Sequence, residues 1–485
     1  MFKSLGLGGD KPPAGLQWRS HTLFIATTVG MGAFTDLFLY GLIVPVLPFL
    51  LKDRINTPEL QIQGTISMLL AVYAAASCAA SPITGVLADK FASSRQLPFT
   101  VSLLMLVAAT VMFAFGQSIA VLIVGRLLQG ASGGVVWTLG LAIIVETVGQ
   151  ENLGRTMGTI FSFISVAGLF SPICGGLLYA KTGYNGVFGV GIGLVAIDFI
   201  LRILMVEKRV ADKYLPSDPN GQTQQSNGAS ETEDTEQTPL LPDSHTSAFD
   251  ERFRLSLPKN RITRELPILL LLRDLGLLTA IFIAFMQATL LGSFDATIPL
   301  VAKSSFGFDS LKAGLLFLPL GGADFFLGPA FGWAVDRYGA RLFSVIGFAF
   351  LVPSLILLRL PEETSIIEKL DNGHLIALYA SILALNGAGF AIIGSPSIVE
   401  AGRLVENYSN ANKDIFIEGA PWAQLYGINN MVFSGGLTIG PLLAGALRER
   451  IGYGNMNAVL AGVCAVTAVL AALFIGRKDD KGNSD

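Results

Sequence analysis

Three acids stand inside long apolar stretches, where a charge is hardest to keep. Asp36 lies 14 residues beyond Thr22 in one apolar run, Asp295 sits late in a run that begins at Leu275, and Asp324 precedes Asp336 by twelve residues in another. Arg126 is placed the same way, in the segment Leu122-Ile123-Val124-Gly125-Arg126-Leu127-Leu128-Gln129-Gly130. A charged side chain in hydrocarbon costs about 3 kcal/mol or more unless it is paired, so such residues face a polar interior and mark ion or solute paths. The chemistry open to the acids is reversible protonation. Removal from water favours the neutral acid and a neighbouring cation favours the carboxylate, so a proton and a cationic solute compete for one group. His21, His245 and His374 all fall outside the apolar runs or at their edges, which leaves carboxylates as the proton carriers. The plainer alternative stays open for each: an acid hydrogen-bonded internally, and an arginine bonded to carbonyls.

The elements that position these residues are membrane helices. Of 485 residues, 52% are hydrophobic and 14% charged, against roughly 25% charged in a soluble domain. The apolar residues arrive in blocks of about 20 or more, the length that crosses a bilayer. Twelve spans are expected, near Thr22–Leu51, Gln63–Leu87, Pro98–Phe115, Ile119–Glu146, Gly158–Tyr179 and Val187–Met205, then Leu275–Val301, Leu311–Phe331, Leu342–Leu360, Leu375–Glu400, Gln424–Leu447 and Met456–Ile475. Asp36 then lies roughly 21 Å along the first helix, close to the membrane centre.

The fold class is therefore an all-α membrane protein, divided as an N-terminal tail (1–21), a six-helix bundle (22–206), a polar linker (207–273), a second six-helix bundle (274–476) and a C-terminal tail (477–485). Within the linker, Ser217–Asp243 has no hydrophobic period and is expected to be disordered. Lys and Arg concentrate on the side shared by both termini and the linker, which places that side in the cytosol. The polar N-terminus carries no cleavable signal pattern, so the first span serves as its own insertion signal. A net charge of −3 and the lack of a basic stripe exclude a nucleic-acid partner. Cys78, Cys174 and Cys464 all lie in apolar blocks and suit neither a disulfide frame nor a metal site; no metal ligand set is expected.

The two halves repeat each other. Gly85-Val86-Leu87-Ala88-Asp89-Lys90-Phe91-Ala92 follows span two, and Gly332-Trp333-Ala334-Val335-Asp336-Arg337-Tyr338-Gly339-Ala340-Arg341 follows span eight, 247 residues later; Pro82 and Pro329 share that offset. Pro172, Gly176, Gly183 and Tyr184 match Pro441, Gly445, Gly452 and Tyr453 at an offset of 269. Several pairs in order at nearly fixed spacing indicate duplication.

With those motifs on the page, the chain resembles the major facilitator superfamily over nearly its whole length outside the linker. Within it, the likeness is greatest to twelve-span drug:proton antiporters and the related vesicular amine carriers. The loop after span two resembles the family signature GxLaDrxGrkx in Gly85, Leu87, Ala88, Asp89, Lys90 and Arg95, with Ala92 in place of a glycine; Gly332, Asp336, Arg337 and Arg341 form a closer second copy. The resemblance implies a clasp in which an Asp at the membrane edge pairs with neighbouring helices and gates the cavity. The Arg126 segment looks like the family's second motif. Gly168, Pro172, Gly175 and Gly176 in span five resemble its antiporter motif GxxxGPxxGG, with Ser171 as a departure, and Gly440, Pro441 and Gly445 repeat it in span eleven. Asp36 stands where vesicular amine carriers keep a cavity acid, ahead of Pro45 and Pro48; their span-eleven acid falls near Ser434 here.

The resemblance implies a secondary transporter that alternates access between two halves, most simply proton-coupled antiport of a small amphipathic or cationic organic compound out of the cytosol. Asp36 with Arg126, then Asp324 and Asp295, are the expected proton or substrate site, with Phe38, Tyr40, Asn386, Asn429 and Asn430 as cavity candidates. No cofactor beyond a proton gradient is expected and no catalytic residues; the partners are the small-molecule substrate and the lipid bilayer, and the chain is expected to act as a monomer. An importer or uniporter of the same fold, and a non-transporting scaffold or receptor, stay open. Glu236, Leu240 and Leu241 in the linker resemble an acidic dileucine sorting signal read by cytosolic adaptors, so the membrane is either the plasma membrane or a vacuolar or vesicular one. Asn407-Tyr408-Ser409 is the sole glycosylation sequon, expected to stay unmodified in the cytosol.

Overall fold

The computed structural model describes residues 15–90, 96–148, 153–211, 214, 253–255, 268–362, 371–416 and 421–476. Among them the chain is helical, with eleven stretches long and apolar enough to cross a membrane. One of these, Leu153–Leu204, has 52 residues, about 78 Å of helix. That is more than twice the roughly 30 Å of a hydrocarbon core. It breaks at Gly183, where φ is 66° and ψ is −158°, a conformation only glycine adopts without strain. Spans five and six meet there, so the described residues hold twelve crossings.

The other spans are Thr22–Ile43, Glu59–Lys90, Gln96–Phe115 and Ile119–Val148 in the first half. In the second they are Leu275–Phe306, Ser310–Leu315 with Phe317–Tyr338, Ala340–Leu357, Asn372–Ile393 with Pro396–Ala411, Trp422–Ile451 and Tyr453–Phe474. Two expected spans are corrected. The first ends at Ile43 and resumes as Leu47–Asp53, because Pro45 and Pro48 cannot donate to a continuous ladder. The tenth breaks at Gly394 and Ser395 and restarts at Pro396. Starts are set by side chains that bond the free N–H groups of the first turn. Asp274 accepts from Gly276 N at 2.7 Å and Leu277 N at 3.1 Å, Asp309 from Lys312 N at 2.9 Å, and His21 Nδ1 from Leu23 N at 3.3 Å.

The repeat seen in the sequence reappears as packing. Span one packs on the five–six stretch as seven packs on eleven, two on four as eight on ten, and nine on twelve. Between halves, span eleven packs on two and span eight on five. Each half has its own apolar filling, merging in one core that includes Leu69, Leu70, Phe294 and Phe348.

Most of the linker, including Glu236, Leu240 and Leu241, lies outside the described residues. Its far end returns to the fold at Phe253–Leu255. There the Asn412 amide donates to Phe253 O at 2.6 Å and accepts from Leu255 N at 2.7 Å.

Candidate functional site

A cavity of about 220 Å³ lies between the halves. Its walls come from spans one (Leu37, Tyr40), five (Gly168, Ser171), seven (Gln287, Asp295), eight (Phe317, Asp324) and ten (Phe390). Aromatic and aliphatic surface dominates, with two carboxyl groups and an amide at the edges.

The cavity is closed at the end of the bundle away from the linker. Ser310 Oγ donates to Gly176 O at 3.2 Å, Gln63 Nε2 to Ala296 O at 3.4 Å, and Arg448 Nη1 to Gln63 Oε1 at 3.1 Å. Lys303 adds a contact 5.1 Å from the Phe49 ring centre. One stripe of span eight shows how the halves then diverge. A Cβ on Gly314 would meet Pro172 of span five, and one on Gly321 would lie 3.2 Å from Leu169 Cδ1. Gly328, two turns further toward the linker end, has no described atom within 4 Å of that position, and neither has Gly332.

The glycines of the antiporter-type motif sit at the closest backbone approaches. A Cβ on Gly175 would overlap the Leu42 carbonyl of span one, and one on Gly440 would overlap that of Thr289 in span seven. Gly176 meets Ser310 of span eight, and its counterpart Gly445 meets Ser67 of span two. The motif thus marks two helix contacts in each half: span five with one and eight, and span eleven with seven and two.

The charged residues form a relay across the interface. Tyr40 Oη donates to Asp295 Oδ2 at 3.0 Å, joining span one to span seven. The Tyr40 and Tyr73 rings lie 4.9 Å apart, and Tyr73 Oη donates to Asp36 Oδ2 at 2.8 Å. Trp137 Nε1 donates to the same oxygen at 3.1 Å. Arg126 is fully buried between them, 5.7 Å from the Tyr40 ring centre, 5.8 Å from Tyr73 and 5.3 Å from Phe113. Its Nη1 donates to Gln129 Oε1 at 2.9 Å, while Nε and Nη2 have no hydrogen-bond partner. Arg126 and Asp36 therefore do not form the direct ion pair their pairing in sequence suggests; two tyrosines stand between the arginine and the acids. An aromatic cage holds a guanidinium by the negative faces of its rings.

The expected site residues divide. Tyr40, Asp295 and Asp324 line the cavity, Asp324 as an exposed side chain. Asp36 does not: it is 1% exposed, sunk inside the N-terminal bundle behind Tyr73 and Trp137. Phe38 is also turned away, stacking on Phe34 at 5.6 Å. Asn386 is spent on packing span ten against span nine, donating to Ser354 O at 3.1 Å and Ile382 O at 2.9 Å. Asn430 donates to Ser81 Oγ at 2.8 Å, tying span eleven to span two. Asn429 is likewise outside the cavity wall, its Oδ1 buried and unpartnered.

Of the clasp motif, Gly85 lies in span two opposite Thr138, Asp89 and Lys90 end the helix, and Arg95 falls outside the described residues. In the second copy, Asp336 is exposed and makes no ion pair with a described residue, Arg337 covers Trp333, and Arg341 Nη2 donates to Ala472 O at 2.7 Å.

Two charged residues escaped the reading of the sequence. Asp198 and Arg202 are both buried near the linker end of span six. Their signal was available: an acid followed four residues later by a base, within an apolar run.

A sequence profile described as Major Facilitator Superfamily matches residues 29–411. The chain belongs to the major facilitator superfamily. It is 42% identical over 476 residues to the MFS-type transporter ppzB of Metarhizium rileyi, covering 96% of this chain and 97% of that protein. It is 37% identical to the uncharacterized MFS-type transporter C18.02 of Schizosaccharomyces pombe, covering 94% and 97%. The vesicular acetylcholine transporter of Drosophila melanogaster is a distant relative, 24% identical over 90% of this chain and 69% of its own length. Among solved structures, the human organic anion transporter MFSD10 (TETRAN) matches with a TM-score of 0.59 at 17% identity, over 95% of this chain and 100% of that one. This chain is thus a multi-pass major facilitator transporter, and its relatives are transporters rather than enzymes.

Proposed function

We propose that this major facilitator transporter exchanges protons for a small organic cation with an apolar body, with its linker in the cytosol and the cargo leaving it. The reading rests on the relay that connects Asp295 on the cavity wall to Asp36 inside the N-terminal bundle through Tyr40, Arg126 and Tyr73.

A cation that reaches Asp295 competes with Tyr40 for the carboxylate. Release of the Tyr40 hydroxyl alters the cage around Arg126, and through Tyr73 alters how well Asp36 holds a proton. Cargo and proton then need not share one carboxylate; they are coupled through one arginine. Phe317, Phe325 and Phe390 supply the apolar wall, and Asp324 is a second anchor at the mouth. The contacts between Gln63, Ala296 and Arg448 form the gate opposite the linker, and their opening against closure of spans five and eight is the alternation.

The test uses the full chain in sealed vesicles with an internal pH dye. Tetraphenylphosphonium and a panel of smaller aryl-ammonium ions are added under an imposed pH gradient. Probe-dependent proton movement is expected in the wild type and absent in Asp36→Asn. Probe movement without proton movement in the wild type would make the chain a uniporter and end the antiport reading.

A further inference from the structure

Asp198 and Arg202 sit where the cargo cavity does not reach. Asp198 is 0% exposed and Arg202 3%, one turn apart on span six. Both press on span one at Gly32, where a Cβ would lie 3.2 Å from Arg202 Nη2, 3.6 Å from Asp198 Oδ1 and 3.4 Å from Val136 of span four. Gly32 is one turn from Asp36 on the same face, a step of about 6 Å between Cβ positions. Gly133 of span four makes similar room for Asp36, its Cβ position lying 2.8 Å from Asp36 Oδ2.

The polar atoms here are not satisfied as those of a structural pair would be. Both Asp198 oxygens, Arg202 Nε and Nη2, and Asp36 Oδ1 are buried without a hydrogen-bond partner, as are the hydroxyls of Thr35 and Ser132, the neighbours of Asp36 and Gly133 in sequence. Arg202 Nη1 meets only the Met205 sulfur at 3.9 Å, and the guanidinium lies over the Phe99 ring of span three. The charges that face the pair are Asp36 from span one and Glu207 from the end of span six; Arg126 reaches Asp36 from the opposite side. Spans three and four present Phe99 and Val136, neither titratable. Buried polar groups almost always find partners, and a run of them between two acids offers the two to four partners that an internal water needs.

We propose that Asp198 is a second proton-carrying group, which takes the proton from Asp36 and delivers it toward the linker side through the interior of the N-terminal bundle, apart from the cargo cavity. Arg202 is the positioning residue that keeps Asp198 a carboxylate between turnovers. The Asp36 O–H bond breaks as a bridging water takes its proton, and that water gives one of its own to Asp198. Asp36 becomes the carboxylate and Asp198 the neutral acid, with no change of oxidation state. Asp198 then gives the proton to water at the linker end of span six, six residues on at Leu204, and returns to the carboxylate. This route rests on the proton-coupled reading above.

Two measurements on the full chain in lipid vesicles test it. In the first, accumulation of tetraphenylphosphonium and aryl-ammonium ions is followed with and without a pH gradient, with helical content and monodispersity checked for each variant. Asp198→Asn is expected to lose the dependence on the gradient by about tenfold or more, Asp198→Glu to restore most of it, and Arg202→Gln to shift its pH profile. Gradient dependence within about twofold of wild type in a folded Asp198→Asn protein overturns the proposal. The second needs no cargo: infrared titration of the carboxyl C=O stretch between about pH 5 and about pH 9. The wild type is expected to show one titrating band that Asp36→Asn removes and another that Asp198→Asn removes. If wild-type vesicles move no protons with any probe, the antiport reading falls. The infrared bands still decide Asp198, and no band lost in Asp198→Asn refutes its role.

Discussion

Gly176 faces the backbone of span eight with no room for a methyl group, and that makes the gate opposite the linker testable without knowing the cargo. A Cβ there would lie 3.0 Å from the Ser310 carbonyl carbon and 3.1 Å from Leu311 Cα, closer still to the carbonyl oxygen. Backbone cannot rotate out of the way, so Gly176→Ala forces spans five and eight apart in the closed form. Overpacking of this kind costs about 1–3 kcal/mol. At about 1.4 kcal/mol per tenfold, the equilibrium moves roughly 5- to 150-fold away from the form closed on that face. The assay is alkylation of a cysteine placed at Leu320, on the cavity wall, after Cys78, Cys174 and Cys464 have been changed to Ala. A membrane-impermeant maleimide is applied from the face opposite the linker, and labelling in Gly176→Ala is expected to rise about fivefold or more. Gly445→Ala is the internal control by symmetry. Its Cβ would overlap Ser67 Oγ and lie 3.2 Å from Ser67 Cβ and 3.6 Å from Gln63 Nε2. The hydroxyl and the amide can rotate away and only Ser67 Cβ is held by backbone, so its effect should be in the same direction and smaller. Unchanged labelling in a folded Gly176→Ala protein, or a larger effect at Gly445, would refute the steric argument.

Asn386→Ala should lower the melting temperature by several degrees, since a buried Ser354 carbonyl loses its donor at a cost of about 1–3 kcal/mol, and should leave probe transport within about twofold; thermal unfolding followed by transport assay checks both. Arg126→Lys should not replace Arg126, because a compact ammonium cannot span three rings and Gln129 at once; probe-driven proton flux is expected to fall about tenfold or more, and rescue by lysine would dismiss the cage. Lys52 and Glu59 form an exposed ion pair at 2.5 Å, and what an exposed pair adds to stability is small. Glu59→Gln should therefore leave the melting temperature at neutral pH unchanged, as calorimetry would show. Ser409 of the sequon is buried in the helix Pro396–Ala411, and intact mass of the membrane-extracted protein should show no glycan at Asn407.

The spans were legible because crossing a bilayer requires length and apolarity together, and few other structures need both. Their interruptions were less so. Pro45 and Pro396 explain two breaks after the fact, yet Pro82, Pro172 and Pro441 sit inside continuous helices. A proline ends a membrane helix only where neighbours do not satisfy the freed carbonyl. Direction of side chains was least legible of all. In a soluble helix the polar stripe tells which face is outward, but lipid is as apolar as a protein core. Phe326, exposed, and Phe38, buried, are alike in sequence context and opposite in fate. That is why Phe38 and Asn386, expected in the cavity, are not in it, and why Asp36 does not reach the cavity wall. Asp198 was missed for a related reason. Asp198 falls inside the expected span Val187–Met205, and only its packing against Gly32 tells that it faces the bundle interior rather than lipid.

The placement of charge follows the symmetry of the fold less closely than the helix contacts do, and that contrast supports the proposed separation of proton from cargo. Helix contacts repeat between halves: span five on one as span eleven on seven, and Gly176 on Ser310 as Gly445 on Ser67. Buried charge repeats less closely. Among the described residues the N-terminal bundle encloses Asp36, Arg126, Asp198 and Arg202, while in the C-terminal bundle the buried Glu400 is paired with Arg403, and Asp295 and Asp324 line the cavity. Rocking needs two matched surfaces, and the symmetric glycines supply them. Coupling needs two unlike sites whose occupancies affect each other, and in the proposed exchange they meet at Tyr40, whose hydroxyl crosses from one bundle to the acid of the other.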